Sequence, residues 1–459
     1  MKHVHLIGIG GTGLSAIARV LLESGYRVSG SDQQLSDLAR RLQQAGVQVF
    51  AGHRAEQVYG ADWVVRSSAI PDENVEVQAA LAAGIPVYKR SDFLGKLLAE
   101  RRVIAVAGSH GKTTTSAMLA WLLSELGQQP GFIVGGPVRN LDTNARAGQG
   151  PWFVIEADEY DYMFLGLDPE IAVVTNVEHD HPDLFPTPQV FQQAFSDFVA
   201  RLKPGGLLLA CGDDPGAVAL LAQATAQGNR ILTYGFDAPQ LDYRGGALVP
   251  GSDQAGAAFN LHRGENFLGK VQLVIPGRHN ASNALAALAV IDQLGLDMAA
   301  ALQALASFSG AGRRFEILGQ ANGITIIDDY GHHPTEIRAS LAAARARYPQ
   351  AELWAVWQPH TYTRTKTLSA DFAASFSQAD HVIVTEVFRS REPIDPDFSA
   401  LQVVRAMRHR EAHYVPQLAD AVAFLLARLR PGAVLLVFSA GDANQISAQV
   451  LAGLEAATG

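Results

Sequence analysis

The sequence predicts an α/β protein built on mostly parallel, doubly wound sheets. Short apolar strands alternate with stretches of helical periodicity along nearly the whole chain, the pattern of successive βαβ units. Glycine-rich turns follow several of those strands, at the edge where such sheets present ligands. The chain has 459 residues, 48% hydrophobic and 18% charged. That length and composition suffice for two to four cores and give no bias to disorder.

The first unit opens with an apolar strand over 4–9 and the turn "GIGGTGLSAIARVLLESG", in which Leu14, Ile17, Ala18, Leu21 and Leu22 fall at helical spacing. "YRVSGSD" reads as the next strand and ends at Asp32, and "ADWVVRSSAI" and "NVEVQAALAAGIPVY" continue the alternation. A second unit begins near residue 93, with strands in "RVIAVAG", "WFVIEAD", "EIAVVTN" and "GGLLLAC". Between about 235 and 276 the pattern changes to short alternating runs and turns, which predicts a small antiparallel addition. "NASNALAALAVIDQLG" returns to helix. A third unit follows "GAGRRFEILG", with strands in "ITIIDD", "ELWAVWQ", "HVIVTEV" and "AVLLVFSAG". The expected divisions are 1–93, 94–314 and 315–459.

Composition excludes several functions. A formal net charge of −9 opposes a nucleic-acid-binding face, because phosphate backbones attract basic surfaces. The single cysteine, Cys211, allows no intramolecular disulfide or cysteine cage and reads as a small buried hydrophobe. The opening "MKHVHLIGIGG" reaches glycine too soon for a signal peptide, and no apolar run approaches the ~20 residues of a spanning helix. The expectation is a cytoplasmic protein with no membrane insertion.

The chemistry concentrates at strand ends. In "AVAGSHGKTTTSAM" a glycine turn enters a helix, so backbone N–H groups from Gly108 through Ser109, His110 and Gly111 can face an anion. Lys112 then reaches terminal phosphates and the Thr113 hydroxyl suits Mg²⁺. Val106 stands where the usual phosphate-loop pattern has its first glycine. About 45 residues on, "VIEADEYD" sets Glu156, Asp158, Glu159 and Asp161 at a strand end, with Glu156 the best single Mg²⁺ ligand. "VVTNVEHDHPDLF" places His179 and His181 about Asp180, where a hydrated cation or a substrate fits better than zinc. Asn280 and Asn283 begin a helix and can cap it or hold a purine. "DDYGHHPTE" crowds Asp328, Asp329, His332 and His333 at one strand end, and Arg313 and Arg314 can stabilise a transferring phosphoryl group. The glycines Gly8, Gly10, Gly11 and Gly13 suit either a dinucleotide or the diphosphate of a nucleotide-sugar. An NAD-dependent oxidoreductase would leave "GKTTT" without a role.

With these residues in view, the sequence resembles the Mur ligases, the ATP-dependent amide-forming enzymes of bacterial peptidoglycan precursor synthesis. The resemblance runs through "GIGGTGLSAIA", "SSAI", "AGSHGKTTT", "EADEYD", "TNVEHDH", "GRHNASN", "RRFE", "DDYGHHPTE", "QPHTYTRT" and "SAGD". It implies an N-terminal Rossmann-like domain for a UDP-sugar, a central P-loop-type ATP-binding domain and a C-terminal Rossmann-like domain. The implied substrates are ATP with Mg²⁺, UDP-N-acetylmuramate, and an amino acid or short peptide; the expected state is a monomer or weak homodimer.

The resemblance assigns ATP to residues 108–113 with Thr114, Asn280, Asn283, Arg314 and Asp329. It assigns one Mg²⁺ to Thr113 and Glu156 and a second to His181, and the UDP-sugar to Gly10, Gly11, Thr12, Gly13, Ser15, Asp32, Ser67 and Ser68. Lys112, Glu156, His181, Arg314, Asp329 and His333 are the implied catalytic set, and His360 and Arg364 the implied acceptor contacts. Ser109 and Thr361 depart from alanine-adding members, which usually carry Thr and commonly Arg there. "EADEYD" is nearer to the tripeptide-adding ligases, while "GGTGLS" and "QPHTYTRT" favour L-alanine. The carbamylated lysine of several sister ligases has no evident counterpart between Phe191 and Val199.

Overall fold

The structure, a computed structural model, describes residues 1–250 and 256–457. Three sheets organise it, one for each predicted unit. The first is five parallel strands in the spatial order Gln48–Ala51, Arg27–Asp32, His3–Ile7, Trp63–Arg66 and Val87–Lys89. Its order reverses direction between His3–Ile7 and Trp63–Arg66. There the glycine turn and Ser67 emerge side by side, at the switch point where open α/β sheets hold ligands.

The central sheet has eleven strands among the described residues. Seven run parallel in the order Tyr243–Gly245, Arg230–Gly235, Leu207–Cys211, Ile171–Val174, Arg102–Ala107, Trp152–Glu156 and Gly131–Val138. The remaining strands are antiparallel. Thr143–Arg146 borders one edge, and the hairpin Ala257–Arg263 and Asn266–Gln272, with Val249–Pro250, extends the other. This hairpin is the antiparallel addition expected from the short alternating runs. The third sheet is parallel except for Glu316–Ala321, which pairs antiparallel to Ile324–Asp329; Val434–Phe438, Leu353–Trp357, His381–Val384 and Ala412–Tyr414 follow in space.

The units are joined in different ways. One continuous apolar core runs from the first unit into the second, taking in Leu14, Ile17, Phe93, Val106, Leu122 and Phe132. Polar contacts reinforce that junction: Arg19 donates to Thr143 Oγ1 at 3.0 Å, and the Ala147 N–H donates to Glu23 at 2.8 Å. The third unit closes its own cores on both faces of its sheet, around Trp357 and around Leu435. It reaches the central unit largely through charged and hydroxyl side chains at the carboxyl ends of the strands. Among the described residues, no helix is long and apolar enough to cross a membrane.

Candidate active site

Three strand ends of the central sheet converge at its own switch point. The strand Arg102–Ala107 runs into Gly108, at φ +140°, and Gly111, at φ +84°, just before the helix Lys112–Glu125. Both glycines are required by space as well as by φ. A Cβ on Gly108 would collide with the Thr175 hydroxyl, and one on Gly111 would sit 2.5 Å from Asn283 Oδ1. The Ser109 and His110 N–H groups donate to Asn176 O and Oδ1, which pins the loop to the neighbouring strand.

Lys112 turns inward. Its ammonium donates to Gly108 O at 2.6 Å, Ser109 O at 3.3 Å, and both Glu159 oxygens at 2.9 and 2.8 Å. Burial disfavours that cation, but the Glu159, Asp158 and Glu156 carboxylates outweigh it and hold Lys112 above its ordinary value. Thr113 Oγ1 donates to Glu156 Oε1 at 3.0 Å, and the Gly135 N–H donates to the other oxygen at 2.6 Å. Thr113 and Glu156 thus form a compact pair of hard-oxygen donors beside the phosphate loop, which fits Mg²⁺.

His181 lies beyond Lys112. Its Nε2 is 3.6 Å from Glu159 Oε1, and Arg364 Nη2 is 3.1 Å from its Nδ1. Arg364, only 3% exposed, also donates from Nε to Asp180 Oδ1 at 2.7 Å and lies 3.1 Å from His360 Nδ1. The two implied acceptor contacts are therefore adjacent, and Arg364 binds the central unit directly. Against the cost of burial, the Arg364 guanidinium holds the Asp180 carboxyl well below its ordinary range. Burial, with Arg364 beside it, lowers His360 to about 4, and burial pushes His332 well down. Both imidazoles are neutral near pH 7.

A second bridge joins the same units. His110 Nε2 is 2.9 Å from Glu178 Oε2, and its Nδ1 is 3.6 Å from Glu336 Oε1. Burial opposes the imidazolium, yet the hydrogen bonds with Glu178 and Glu336 raise His110 to about 9. Thr335 Oγ1 donates to Glu178 Oε1 at 2.8 Å, and the His110 and His333 rings lie 4.6 Å apart. His333 caps the helix Pro334–Arg347, with Glu336 completing a capping box. Glu336 also accepts from Arg314 at 3.2 Å. Asp329 accepts from the Phe315 and Gly331 N–H groups and the Ser340 hydroxyl, while burial raises its carboxyl to about 6.

The amides are held more tightly. Asn280 donates to Pro276 O at 2.6 Å, and Asn283 is buried against Gly111. Backbone strain gathers around the same groups. Asp161, Tyr162, His181, Arg313, Phe315 and Thr361 all take positive φ, a cost that persists where surrounding structure enforces it.

At the first sheet, the Gly10 N–H donates to Asp32 Oδ2 at 2.9 Å, and Ser36 Oγ donates to Gly10 O at 2.9 Å. Gly11 and Thr12 are exposed beside them, whereas the Ser15 hydroxyl is buried and donates to Thr12 O at 3.1 Å. Ser67 follows the adjacent strand and Ser68 is exposed. Arg90 rests against Gly13 and lies 3.6 Å from Asp158, so it spans the space between the glycine turn and the acidic turn.

Glu178, Glu336, Thr335 and Arg90 were not singled out in the sequence. Only Glu336 had a local signal, the H-P-T-E spacing of a capping box.

Known protein families match all three units. The Mur ligase family catalytic domain covers residues 3–102, the Mur ligase middle domain 106–291, and the Mur ligase glutamate ligase domain 313–441. The UDP-N-acetylmuramate–L-alanine ligase of Roseiflexus sp. (strain RS-1) is 43% identical over 98% of each chain. That of Renibacterium salmoninarum is 44% identical over 99% of this chain and 96% of its own. The chain belongs to the Mur ligase family. As a member it is an ATP-dependent, amide-bond-forming ligase. Among solved structures, the UDP-N-acetylmuramate–alanine ligase of Thermotoga maritima superposes with a TM-score of 0.83 at 28% identity, covering 100% of both chains. A murein peptide ligase from Psychrobacter arcticus gives 0.71 at 26% identity, with 99% of both covered.

Proposed function

We propose that this Mur ligase joins L-alanine to the lactoyl carboxylate of UDP-N-acetylmuramate in peptidoglycan precursor synthesis. The full-length likeness to alanine-adding relatives, at 43% identity, carries the choice of substrates. The geometry supports the chemistry. A carboxylate is a poor acyl donor because its oxide will not leave. Transfer of the γ-phosphoryl group from ATP converts it to an acyl phosphate, and the α-amine then displaces phosphate to form the amide. Catalysis becomes largely positioning and charge neutralisation.

Each strand end has a part in that reading. Residues 108–114 cradle the phosphates, with Lys112 on the β- and γ-oxygens, and Asn280, Asn283, Arg314 and Asp329 complete the nucleotide site. Thr113 and Glu156 would hold one Mg²⁺ and His181 a second, and such ions when bound would neutralise developing charge on the transferring group. The first sheet's glycine turn, Asp32, Ser67 and Ser68 take the UDP moiety. His360 and Arg364 flank the acceptor, whose α-amine attacks as the free base. His333 holds the start of its helix against the phosphate loop. The contacts between the second and third units exclude water from the acyl phosphate. We place the unit boundaries near residues 93 and 315.

Phosphate release from ATP and Mg²⁺ with UDP-N-acetylmuramate tests the proposal, with L-alanine, glycine, L-serine and the murein tripeptide as acceptors. L-alanine is expected to support turnover, and Lys112→Ala to abolish it while the circular dichroism spectrum is unchanged. Turnover with the tripeptide alone would replace the alanine reading with a recycling role. Near-normal turnover of Lys112→Ala would remove the phosphate loop from the mechanism.

A further inference from the structure

Glu159 is 1% exposed and devotes both carboxylate oxygens to the Lys112 ammonium. The other acceptors of that ammonium are the loop carbonyls of Gly108 and Ser109. Every contact of Lys112 is therefore internal, and the side chain has to give up some of them to reach a phosphate. That motion takes the main counter-charge from a buried anion. Burial alone already pushes the Glu159 carboxyl above its ordinary value, with Lys112 acting in the opposite sense and the neighbouring Asp158 adding to the push. A buried carboxylate stripped of its partner is costly, so it has to gain either a proton or a second cation.

The surroundings indicate where that cation sits. Among the described residues, the other ion-pair partner of Glu159 is His181, whose Nε2 lies 3.6 Å from Glu159 Oε1. Its other nitrogen, Nδ1, faces the Arg364 guanidinium at 3.1 Å, so it accepts there and Nε2 is left carrying the proton or a metal. A carboxylate and an imidazole nitrogen this close form half of a divalent-cation site. We infer that Glu159 alternates between two partners, the Lys112 ammonium in the nucleotide-free loop and a divalent cation shared with His181 once a nucleoside triphosphate is bound. This rests on the reading of 108–114 as the ATP loop. Glu159 is then a positioning residue in one state and a metal ligand in the other. The charge left by the departing lysine is met by the cation that enters with the nucleotide.

Mn²⁺ binding followed by electron paramagnetic resonance, with the β,γ-imido analogue of ATP, tests this on the full chain. Wild type with the analogue is expected to bind two Mn²⁺. Glu159→Gln, which keeps the shape and removes the charge, is expected to retain the ion on Thr113 and Glu156 and to weaken the second by at least about tenfold. Glu159→Asp, a shorter carboxylate, is expected to recover part of that loss. Without metal, the analogue is expected to bind Glu159→Gln at least as tightly as wild type, because Lys112 no longer has to leave an anion. Unchanged affinity for both Mn²⁺ ions in Glu159→Gln would overturn the inference. So would weaker metal-free nucleotide binding with both Mn²⁺ affinities intact, the signature of a purely structural anchor for Lys112. Failure of wild type to bind the analogue at all would overturn the ATP-loop reading and this inference with it.

Discussion

Thr361 sits at φ 65°, ψ 144°, a backbone region that is essentially reserved for glycine and disfavours a β-branched side chain. The surrounding contacts enforce it: the Thr361 N–H donates to Phe388 O at 2.9 Å, and Thr361 Oγ1 caps the helix Tyr362–Thr367. The strain holds His360 and Arg364 on either side of a tight bend, with Arg364 against Asp180 and His181 and the His360 ring against Arg364. Magnitudes decide what relieving it would do. Strain of this kind costs on the order of 1–3 kcal/mol. The entropy penalty of a glycine is roughly 0.5–1 kcal/mol, and exchanging a threonine cap for glycine costs a few tenths of a kcal/mol, roughly. Thr361→Gly is therefore expected to match wild type or exceed it by up to about 2 kcal/mol in a urea melt of the third unit. A loss of more than about 1 kcal/mol would show that the bend is not strained.

At the level of single elements, the strand His3–Ile7 shows what periodicity can and cannot reveal. Its apolar residues announce a strand, and the strand is there; its two histidines give no hint of their partners. His5 Nε2 lies 3.3 Å from Glu76 Oε1, and the His5 and His3 rings both hydrogen-bond Ser29 Oγ at 2.8 Å. Ser31 donates to Glu76 at 2.5 Å, and His53 approaches it at 2.8 Å. Asp62 accepts from the His3 N–H at the strand's outer end. Glu76 comes from a helix 71 residues after His5, so only the folded sheet brings the network together. Burial pushes the Glu76 carboxyl up, but hydrogen bonds from His5, Ser31 and His53 outweigh that and set it below its ordinary 4.5. A depressed folded value contributes stability above pH 4.5 that is lost as pH falls through the folded value. Glu76→Gln is expected to destabilise the first unit by about 1–3 kcal/mol at pH 7 and by less at pH 4. Chemical denaturation at the two pH values measures this, and equal losses would exclude the ionised carboxylate as the cause. The active site divides the same way. Lys112, Thr113 and Glu156 were legible because loop, helix start and strand end each leave a local pattern. The pairing of Glu159 rather than Glu156 with Lys112, and of Glu178 with Thr335, depends on contacts between segments far apart in sequence.

The molecule as a whole is asymmetric in how its parts are fastened. The first and central units share an apolar core, and hydrophobic junctions of that kind resist relative motion. The third unit is held by polar bridges, the sort of interface across which domain motion is the default. Its strongest single link is Arg364 with Asp180, each side chain 3% exposed at 2.7 Å. Removing one member of a buried pair leaves the other charge without compensation, at a cost of about 3–5 kcal/mol. Separation of the units relieves that cost by returning Arg364 to water, so the closed arrangement is the one that loses. Asp180→Asn is therefore expected to shift the population toward an open form, read as a larger radius of gyration in small-angle X-ray scattering. Lys366→Ala serves as the control, because Lys366 pairs with Asp395 at the surface, where each remains partly exposed and such pairs contribute little. Scattering that is the same for wild type, Asp180→Asn and the control would mean that the remaining contacts, the His110, Glu178 and Glu336 bridge among them, hold the third unit without this pair. Expansion in Asp180→Asn alone would identify the pair as the latch that sets how often the nucleotide and acceptor groups meet.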